Sequence, residues 1–336
     1  LARMNRLRRV DCSAAGIHRR RRGRGFSFED AEGETIADAE TLARIRDLAI
    51  PPAWKDVWIC PDPLGHIQAT GFDEAGRKQY RYHDRWDLGR ASRKYAAMRE
   101  FAAALPKLRR AVRRDIALDG MPRERALATA VRLLDLGFFR IGGEEYAEEN
   151  ESYGLATIRR EHVHRDGEEI VFDFPAKSSQ RRVQAIGDEE AIAALETMRR
   201  RRGGPEDLLA WKDGRWRDVR SADVNAYIQA AIGAEFSAKD FRTWSGTVLA
   251  AAALAGEEKP ASEAASRRTI ARAVETVAEA LGNTPAVCRR SYIDPRVLDR
   301  YRDGETIDVG RRAASEGRMS ERTRQKIERA VLDLIG

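Results

Sequence analysis

The chain has 336 residues and carries 61 Lys and Arg against 54 Asp and Glu, a net charge of +7; that is room for two domains with separate cores, and a basic excess too modest to name a partner by itself. Cys12, Cys60 and Cys288 lie far apart without a Cys-x-x-Cys pair, so neither a zinc site nor a disulfide framework is expected, and the cytoplasm is the natural compartment. No apolar run reaches the about 18 residues of a membrane helix, and signal-like, Walker A and dinucleotide glycine patterns are lacking, so a membrane span, secretion and a nucleotide cofactor are all unexpected.

The chain opens on Leu1 rather than Met, which points to a trimmed or partial sequence. Up to Asp30, nine arginines stand against three acids, including the run Arg19-Arg20-Arg21-Arg22-Gly23-Arg24. Two readings stay open for this run: a surface that neutralises phosphates with salt-dependent affinity, or a solvated, partly disordered tail. Short strands separated by Gly, Pro and Asp turns are expected at 25–28, 56–60, 66–72 and 78–83, with one helix at 40–48 stopped by Pro51-Pro52. The last strand, within Arg77-Lys78-Gln79-Tyr80-Arg81-Tyr82-His83, interleaves cations, an amide and aromatics; alternation puts Tyr80 and Tyr82 on one face, where simple packing is the first reading.

The organisation changes near 86–89, dividing the chain into 1–88 and 89–336. Beyond that point amphipathic helices are expected around 90–117, 122–136, 188–202, 222–232, 239–256, 263–281 and 318–335, with a hairpin at 168–185 and no internal repeat.

One helix ending stands out. Ile270, Val274, Val277 and Leu281 form an apolar stripe, Gly282 stops the helix, and Thr284 with Pro285 starts a short new one that brings Tyr292 to its far end beside Arg289 and Arg290. A tyrosine is a weak nucleophile and needs a cationic, preorganised site around any phosphate it attacks. Alone, a tyrosine in this position is most often structural. Three other stretches alter that reading: Phe138-Phe139-Arg140-Ile141-Gly142-Gly143-Glu144-Glu145 with Ser152-Tyr153-Gly154-Leu155 after it; the alternating run Ile170-Val171-Phe172-Asp173-Phe174-Pro175-Ala176-Lys177-Ser178-Ser179; and Lys239-Asp240-Phe241-Arg242-Thr243-Trp244, opened by Ser237 and Asp240 in capping-box spacing.

In this order the four stretches resemble the type IB DNA topoisomerases, in particular their compact bacterial and poxvirus-like branch, over about 16–300. The resemblance implies an α+β protein: a small N-terminal antiparallel β domain and a larger, mainly α-helical catalytic domain of the tyrosine recombinase and type IB topoisomerase kind, closing as a clamp around duplex DNA. By motif, Arg140 and Arg242 would grip the non-bridging oxygens of the scissile phosphate, Lys177 would be the general acid on the departing 5′-oxygen, and Tyr292 the nucleophile. Asn283 stands where poxvirus and nuclear enzymes have a histidine. All five histidines, His18, His66, His83, His162 and His164, lie in the first half of the chain. An amide donates a hydrogen bond but does not titrate near neutral pH, so Asn283 would be an oxyanion stabiliser.

The resemblance also changes the reading of the β domain. Gln79-Tyr80-x-Tyr82 matches a poxvirus segment that enters the major groove, so Gln79, Tyr80 and Tyr82 are candidate DNA-binding residues. Gly143 and Glu145 occupy positions where poxvirus enzymes carry lysines, and their short-site specificity is therefore not implied. The implied activity is relaxation of positive and negative supercoils through a 3′-phosphotyrosyl intermediate, by a monomer at the nucleoid without ATP, metal or other cofactor. Two rivals remain: a site-specific tyrosine recombinase, which shares the Arg, Lys, Arg and Tyr chemistry, and a non-catalytic nucleic-acid-binding protein, favoured only if Tyr292 lies away from the two arginines.

Overall fold

The computed structural model describes residues 6–177, 180–308 and 321–336. The chain separates into two compact units, Leu1–Lys94 and Tyr95–Gly336.

The first unit is an antiparallel five-stranded sheet with one helix. Its elements are β1 (Ile17–Arg22), β2 (Gly25–Glu29), α1 (Ala39–Asp47), β3 (Lys55–Ile59), β4 (Ile67–Phe72) and β5 (Lys78–Tyr82), with strand order β2-β1-β3-β4-β5. Ile17, Val57, Ile59 and Ala69 bury one face of the sheet against Ile45 of α1, and Phe28, Leu48 and Trp54 pack around them. Asp38 starts α1 by accepting from the Thr41 amide at 2.7 Å.

The arginine run is strand β1, not a disordered tail. It pairs along its length with β2 and, at Ile17 and His18, with β3. Arg19 explains why so charged a strand is stable: its guanidinium donates to the carbonyls of Pro51 (3.1 Å) and Trp54 (2.6 Å) and lies 4.2 Å from the Phe26 ring centroid. Arg20 pairs with Glu29 at 2.9 Å, whereas Arg21, Arg22 and Arg24 are exposed.

A long helix, α2 (Asp84–Ile116), begins earlier than the apolar periodicity indicates. His83 caps it, its Nδ1 accepting from the Arg85 amide at 3.1 Å. The division between the units falls inside this helix.

The second unit is mainly helical: α3 (Arg123–Gly137), α4 (Glu144–Asn150), a small sheet of β6 (Val163–Asp166), β7 (Glu169–Ala176) and β8 (Gln180–Ile186), then α5 (Glu189–Arg199), the hairpin β9 (Ala210–Asp213) and β10 (Arg215–Asp218), α6 (Ser221–Ile232), α7 (Ala238–Leu254), α8 (Glu263–Leu281), α9 (Pro285–Ser291), α10 (Pro295–Asp303) and α11 (Glu321–Ile335). α3 and α7 are its centre. Leu127, Val131 and Leu134 of α3 and Phe241, Trp244 and Leu254 of α7 are buried. A buried ion network joins three helices: Arg109 of α2 binds Asp135 of α3 at 2.9 Å and Glu328 of α11 at 2.6 Å, and Arg324 of α11 also reaches both carboxylates.

The expected helices of this unit are all present, the stretch 318–320 lying outside the described residues. Elements missed from sequence are short: α4, β6, α10 and the β9–β10 hairpin. The last had a signal, since Trp211-Lys212-Asp213-Gly214-Arg215-Trp216 alternates about an Asp-Gly turn, with Gly214 at φ +64°. Among the described residues no helix is long and apolar enough to cross a membrane.

Candidate active site

The carbonyl end of α8 organises the site. Ile270, Val274, Val277 and Leu281 are buried, and Gly282 caps the helix in the left-handed conformation at φ +58°. The Asn283 amide then bonds back to the Ala278 carbonyl at 3.1 Å. Four carbonyls that follow in the last turn, those of Glu279, Ala280, Leu281 and Gly282, accept from arginine side chains of three different elements. The negative end of the helix dipole favours cations here.

Arg140 arrives from the segment after α3. Phe138 ends that helix at φ +54°, turning the chain so that Phe139 is buried and Arg140 points at the α8 terminus. Arg140 Nη2 donates to Gly282 O and to Asn283 Oδ1, both at 2.6 Å. Its backbone is held by the Leu155 amide, which donates to Arg140 O at 2.8 Å. Gly142 and Gly154 cross here without room for side chains: a Cβ on Gly142, itself at φ +82°, would lie 2.9 Å from Gly154 Cα.

Arg242 is placed by α7, whose start is capped as the Ser237 and Asp240 spacing predicts: the Ser237 amide donates to Asp240 Oδ2 at 2.8 Å and its hydroxyl at 3.0 Å. The side chain is only 4% exposed. It donates to Leu281 O at 2.8 Å and to Phe138 O, so one guanidinium clips the end of α3 to the end of α8. Its Cζ lies 5.2 Å from the Tyr292 ring centroid. Burial pushes the Arg242 pKa down to about 10, Arg140 adding repulsion and Tyr292 opposing it. Arg140 is lowered in the same sense, chiefly by burial, with Tyr292 again opposing. Both remain cations at neutral pH.

Tyr292 is the C-cap of α9, which Thr284 and Pro285 start as expected, Thr284 Oγ1 accepting from the Val287 amide at 3.4 Å. Its amide donates to Cys288 O at 2.9 Å. Its carbonyl faces α7, where Thr247 Oγ1 lies 3.4 Å away and also accepts from the Asp294 amide at 3.0 Å. The nucleophile candidate is thus half-buried, with its backbone seated on a neighbouring helix. Asn283 is oriented without ambiguity of role: Arg140 occupies its oxygen, and its Nδ2 is buried without a hydrogen-bond partner among the described residues.

Arg140, Arg242, Asn283 and Tyr292 therefore come together. Lys177 follows the end of β7 and is exposed, and among the described residues no contact joins its ammonium to the other four. Its strand is nonetheless tied to them through backbone: the Tyr153 amide donates to Pro175 O at 2.9 Å, and Leu155 holds Arg140. Ser178 and Ser179, at the tip, lie outside the described residues. Gln79, Tyr80 and Tyr82 belong to the first unit. Tyr80 and Tyr82 share a face as alternation requires, their rings stacked with centroids 6.1 Å apart, and Tyr80 is 43% exposed. Gln79 Nε2 donates to Asp73 Oδ2 at 2.9 Å. Glu145 is exposed in the first turn of α4, and Glu144 beside it accepts from the Ser221 amide and hydroxyl at 2.7 and 2.9 Å.

Sequence reasoning missed Arg182, Gly246 and Thr247. Arg182 of β8 donates to Glu279 O and Ala280 O, completing the ring of guanidiniums about the α8 terminus. Its pKa is lowered by burial and by Arg140. Among the described residues none of Arg140, Arg182 and Arg242 is paired with a carboxylate. Arg242 is buried and Arg140 and Arg182 are half-buried, and three like charges this close without acidic partners favour the entry of a negative group.

The comparisons with known proteins identify the family. Residues 84–309 match the family described as eukaryotic DNA topoisomerase I, catalytic core, and residues 25–73 match bacterial DNA topoisomerase IB, N-terminal domain. A DNA topoisomerase 1B of Acanthamoeba polyphaga mimivirus is 31% identical over 295 residues, covering 86% of this chain and 88% of the viral protein. DNA topoisomerase I of Monkeypox virus and DNA topoisomerase 1B of Vaccinia virus (strain Copenhagen) are each 22% identical over 277 residues, 82% of this chain and 84% of theirs. These matches favour a topoisomerase over the site-specific recombinase that shares its residue types, and the chain belongs to the type IB DNA topoisomerase family.

Proposed function

We propose that Tyr292 attacks a backbone phosphorus of duplex DNA, with Arg140, Arg242 and the Asn283 amide holding the non-bridging oxygens and Lys177 protonating the departing 5′-oxygen. The observation that carries this reading is the convergence of a phenol, an unpartnered buried amide N–H and guanidiniums without carboxylates on one helix terminus. The Tyr292 Oη–P bond forms as the P–O5′ bond breaks. The products are a 3′-phosphotyrosyl enzyme and a free 5′-hydroxyl. One phosphodiester replaces another of similar energy, so resealing runs the same step backwards and consumes no ATP. Between the two steps the free end rotates and supercoils of either sign relax.

Positioned donors act where charge develops, and losing one typically costs about 10²–10³ in rate. General acid help contributes on the order of 10²–10⁴. Gln79, Tyr80 and Tyr82, together with exposed Arg21, Arg22 and Arg24, would contact the duplex outside the reacting phosphate, positioning it in a clamp formed by the two domains of a monomer. Incubation of negatively and of positively supercoiled plasmid with the protein, without ATP and with EDTA, tests the whole reading. Both substrates should relax, and denaturant should trap a covalent adduct that Tyr292→Phe does not form. An adduct formed by Tyr292→Phe at the wild-type rate would remove Tyr292 from the mechanism.

A further inference from the structure

The β7–β8 hairpin approaches the site at two levels, through Lys177 beyond the end of β7 and through Arg182 on β8. We infer that Arg182 is a positioning residue for the general acid: it anchors the hairpin to the carbonyl end of α8 so that Lys177 is delivered to the leaving oxygen. The inference rests on the assignment of Lys177 proposed above.

Arg182 pairs with Phe174 across the hairpin, and directly opposed residues of an antiparallel pair project from the same face. That face is the inner one. Phe172 and Phe174 are buried, with ring centroids 4.9 and 6.4 Å from that of Phe139, the neighbour of Arg140. Arg182 therefore leaves the sheet toward the catalytic helix end, three residues below the level of Lys177. Its Nη1 donates to Glu279 O at 3.2 Å, its Nη2 to Ala280 O, and Gln184 Oε1 accepts at 3.1 Å from the same fork. The guanidinium lies directly over the capping turn: a Cβ on Gly282 would lie 2.9 Å from Arg182 Nη1. Arg181 on the outer face pairs with Asp173, its Nε 2.7 Å from Asp173 Oδ1, which stiffens the strand pair between anchor and tip.

Helix capping accounts for only part of Arg182. The αL cap already satisfies the Ala278 and Glu279 carbonyls through the Gly282 and Asn283 amides, and Ala280 O is the one carbonyl that Arg182 adds. A third guanidinium set beside Arg140 is held at a cost, its pKa lowered first by burial and then by the Arg140 charge. What it adds is a fixed relation between the hairpin and the turn that holds Asn283.

The chemistry separates this role from a structural one. In cleavage the electron pair of the P–O5′ bond leaves on oxygen, which takes a proton from the Lys177 ammonium. With sulfur at that bridging position the P–S bond breaks instead and the thiolate leaves without a proton. Single-turnover cleavage is measured for wild type, Lys177→Ala, Arg182→Ala, Arg182→Lys and the double variant Lys177→Ala/Arg182→Ala, on duplexes with oxygen or sulfur at the 5′-bridging position. Displacing a catalytic group by an ångström can cost on the order of 10² in rate. Arg182→Ala should lose about that much on the oxygen substrate and recover to within a few-fold of wild type on the sulfur substrate. The double variant should be no slower than Lys177→Ala. Arg182→Lys, which keeps the charge and a donor group and so covers the case of a poorly folded alanine variant, should show a smaller loss with the same recovery.

If Lys177→Ala is rescued by sulfur while both Arg182 variants are equally slow on the two substrates, Arg182 serves the helix end or the fold and the inference fails alone. Wild-type rates for both Arg182 variants overturn it likewise. Failure of sulfur to rescue Lys177→Ala removes the general acid assignment, and the inference with it.

Discussion

Gly246 of α7 lies against the backbone of Tyr292 so closely that a Cβ at position 246 would come 2.5 Å from the Tyr292 carbonyl oxygen and 3.1 Å from its Cβ. Both neighbours are rigid, one being backbone and the other the root of the side chain. Gly246→Ala is therefore expected to push Tyr292 away from Arg242 and lower single-turnover cleavage by on the order of 10², while DNA affinity is nearly unchanged. A cleavage rate equal to wild type in a correctly folded Gly246→Ala protein would show that the contact yields elsewhere.

Asn283 is predicted to act as a neutral donor. Asn283→Ala should lose about 10²–10³ in cleavage rate, and Asn283→His should retain substantial activity. The wild-type pH–rate profile should have no limb near pH 6–7 from this position, whereas the histidine variant is expected to gain one from its imidazole. Stopped cleavage time courses from about pH 5 to 9 measure both; full activity of Asn283→Ala would take the residue out of the site.

Tyr80→Ala and Gln79→Ala should weaken DNA affinity or redistribute cleavage positions without abolishing chemistry, because contacts away from the reacting phosphate position the duplex. A cleavage map on a long labelled duplex reads this directly. Unchanged maps, affinity and relaxation for both variants would assign the strand to packing, with Gln79 serving only its bond to Asp73.

The Arg109–Asp135–Glu328 network should dominate acid unfolding of the helical unit. Asp135 is fully buried and, although burial itself opposes ionisation, Arg324 and Arg109 hold its carboxyl well below the usual range. Its folded pKa is depressed, so its contribution is complete above the unfolded value near about 4 and is lost as pH falls below that. Asp135→Asn should destabilise by about 3–5 kcal/mol, since two arginines then share the single carboxylate of Glu328. Chemical denaturation at pH 7 and pH 3 checks it: the wild-type advantage over Asp135→Asn should shrink at the lower pH.

Asp207 has the opposite sign. Burial, and then the charge of Asp218, push its carboxyl up to about 6. The folded state holds the proton more tightly than the unfolded one, so this stabilisation is present below about pH 4 and disappears as pH rises through about 6. Asp207→Asn should raise the melting temperature at pH 7.5 and flatten its dependence between about pH 4 and 6. An Asp207→Asn protein no more stable than wild type at pH 7.5 would mean that Arg159 and Arg201 already compensate the charge.

The local grammar of the catalytic region was legible in the residues. The stripe from Ile270 to Leu281, the stop at Gly282, the Thr284-Pro285 restart and the Ser237–Asp240 cap are all encoded within a few residues, because helix termini are settled by neighbours in sequence. The alternation of Lys78 to Tyr82 likewise set Tyr80 and Tyr82 on one face. Motif order identified Arg140, Lys177, Arg242, Asn283 and Tyr292 as candidates without showing how they meet.

The arginine run shows where local reading stops. Arg19 to Arg22 have no intrinsic reason to be a strand; backbone carbonyls at 51 and 54 and the Phe26 ring, all distant or across the sheet, give Arg19 its partners. The same holds at the site. That Arg182 turns toward the end of α8, that Gly246 makes room for the Tyr292 backbone, and that the Asn283 oxygen rather than its nitrogen is occupied by Arg140 depend on residues far apart in the chain, 98 residues for Arg182 and Ala280 and 143 for Arg140 and Asn283. The sequence by itself determined the long helices, the caps of α7, α8 and α9 and the chemical kinds of the reacting groups, since those follow from propensity and short-range hydrogen bonds. Only the tertiary structure decided which carbonyls the guanidiniums grip and which N–H is left for a phosphate, because long-range packing chooses among partners that are locally equivalent.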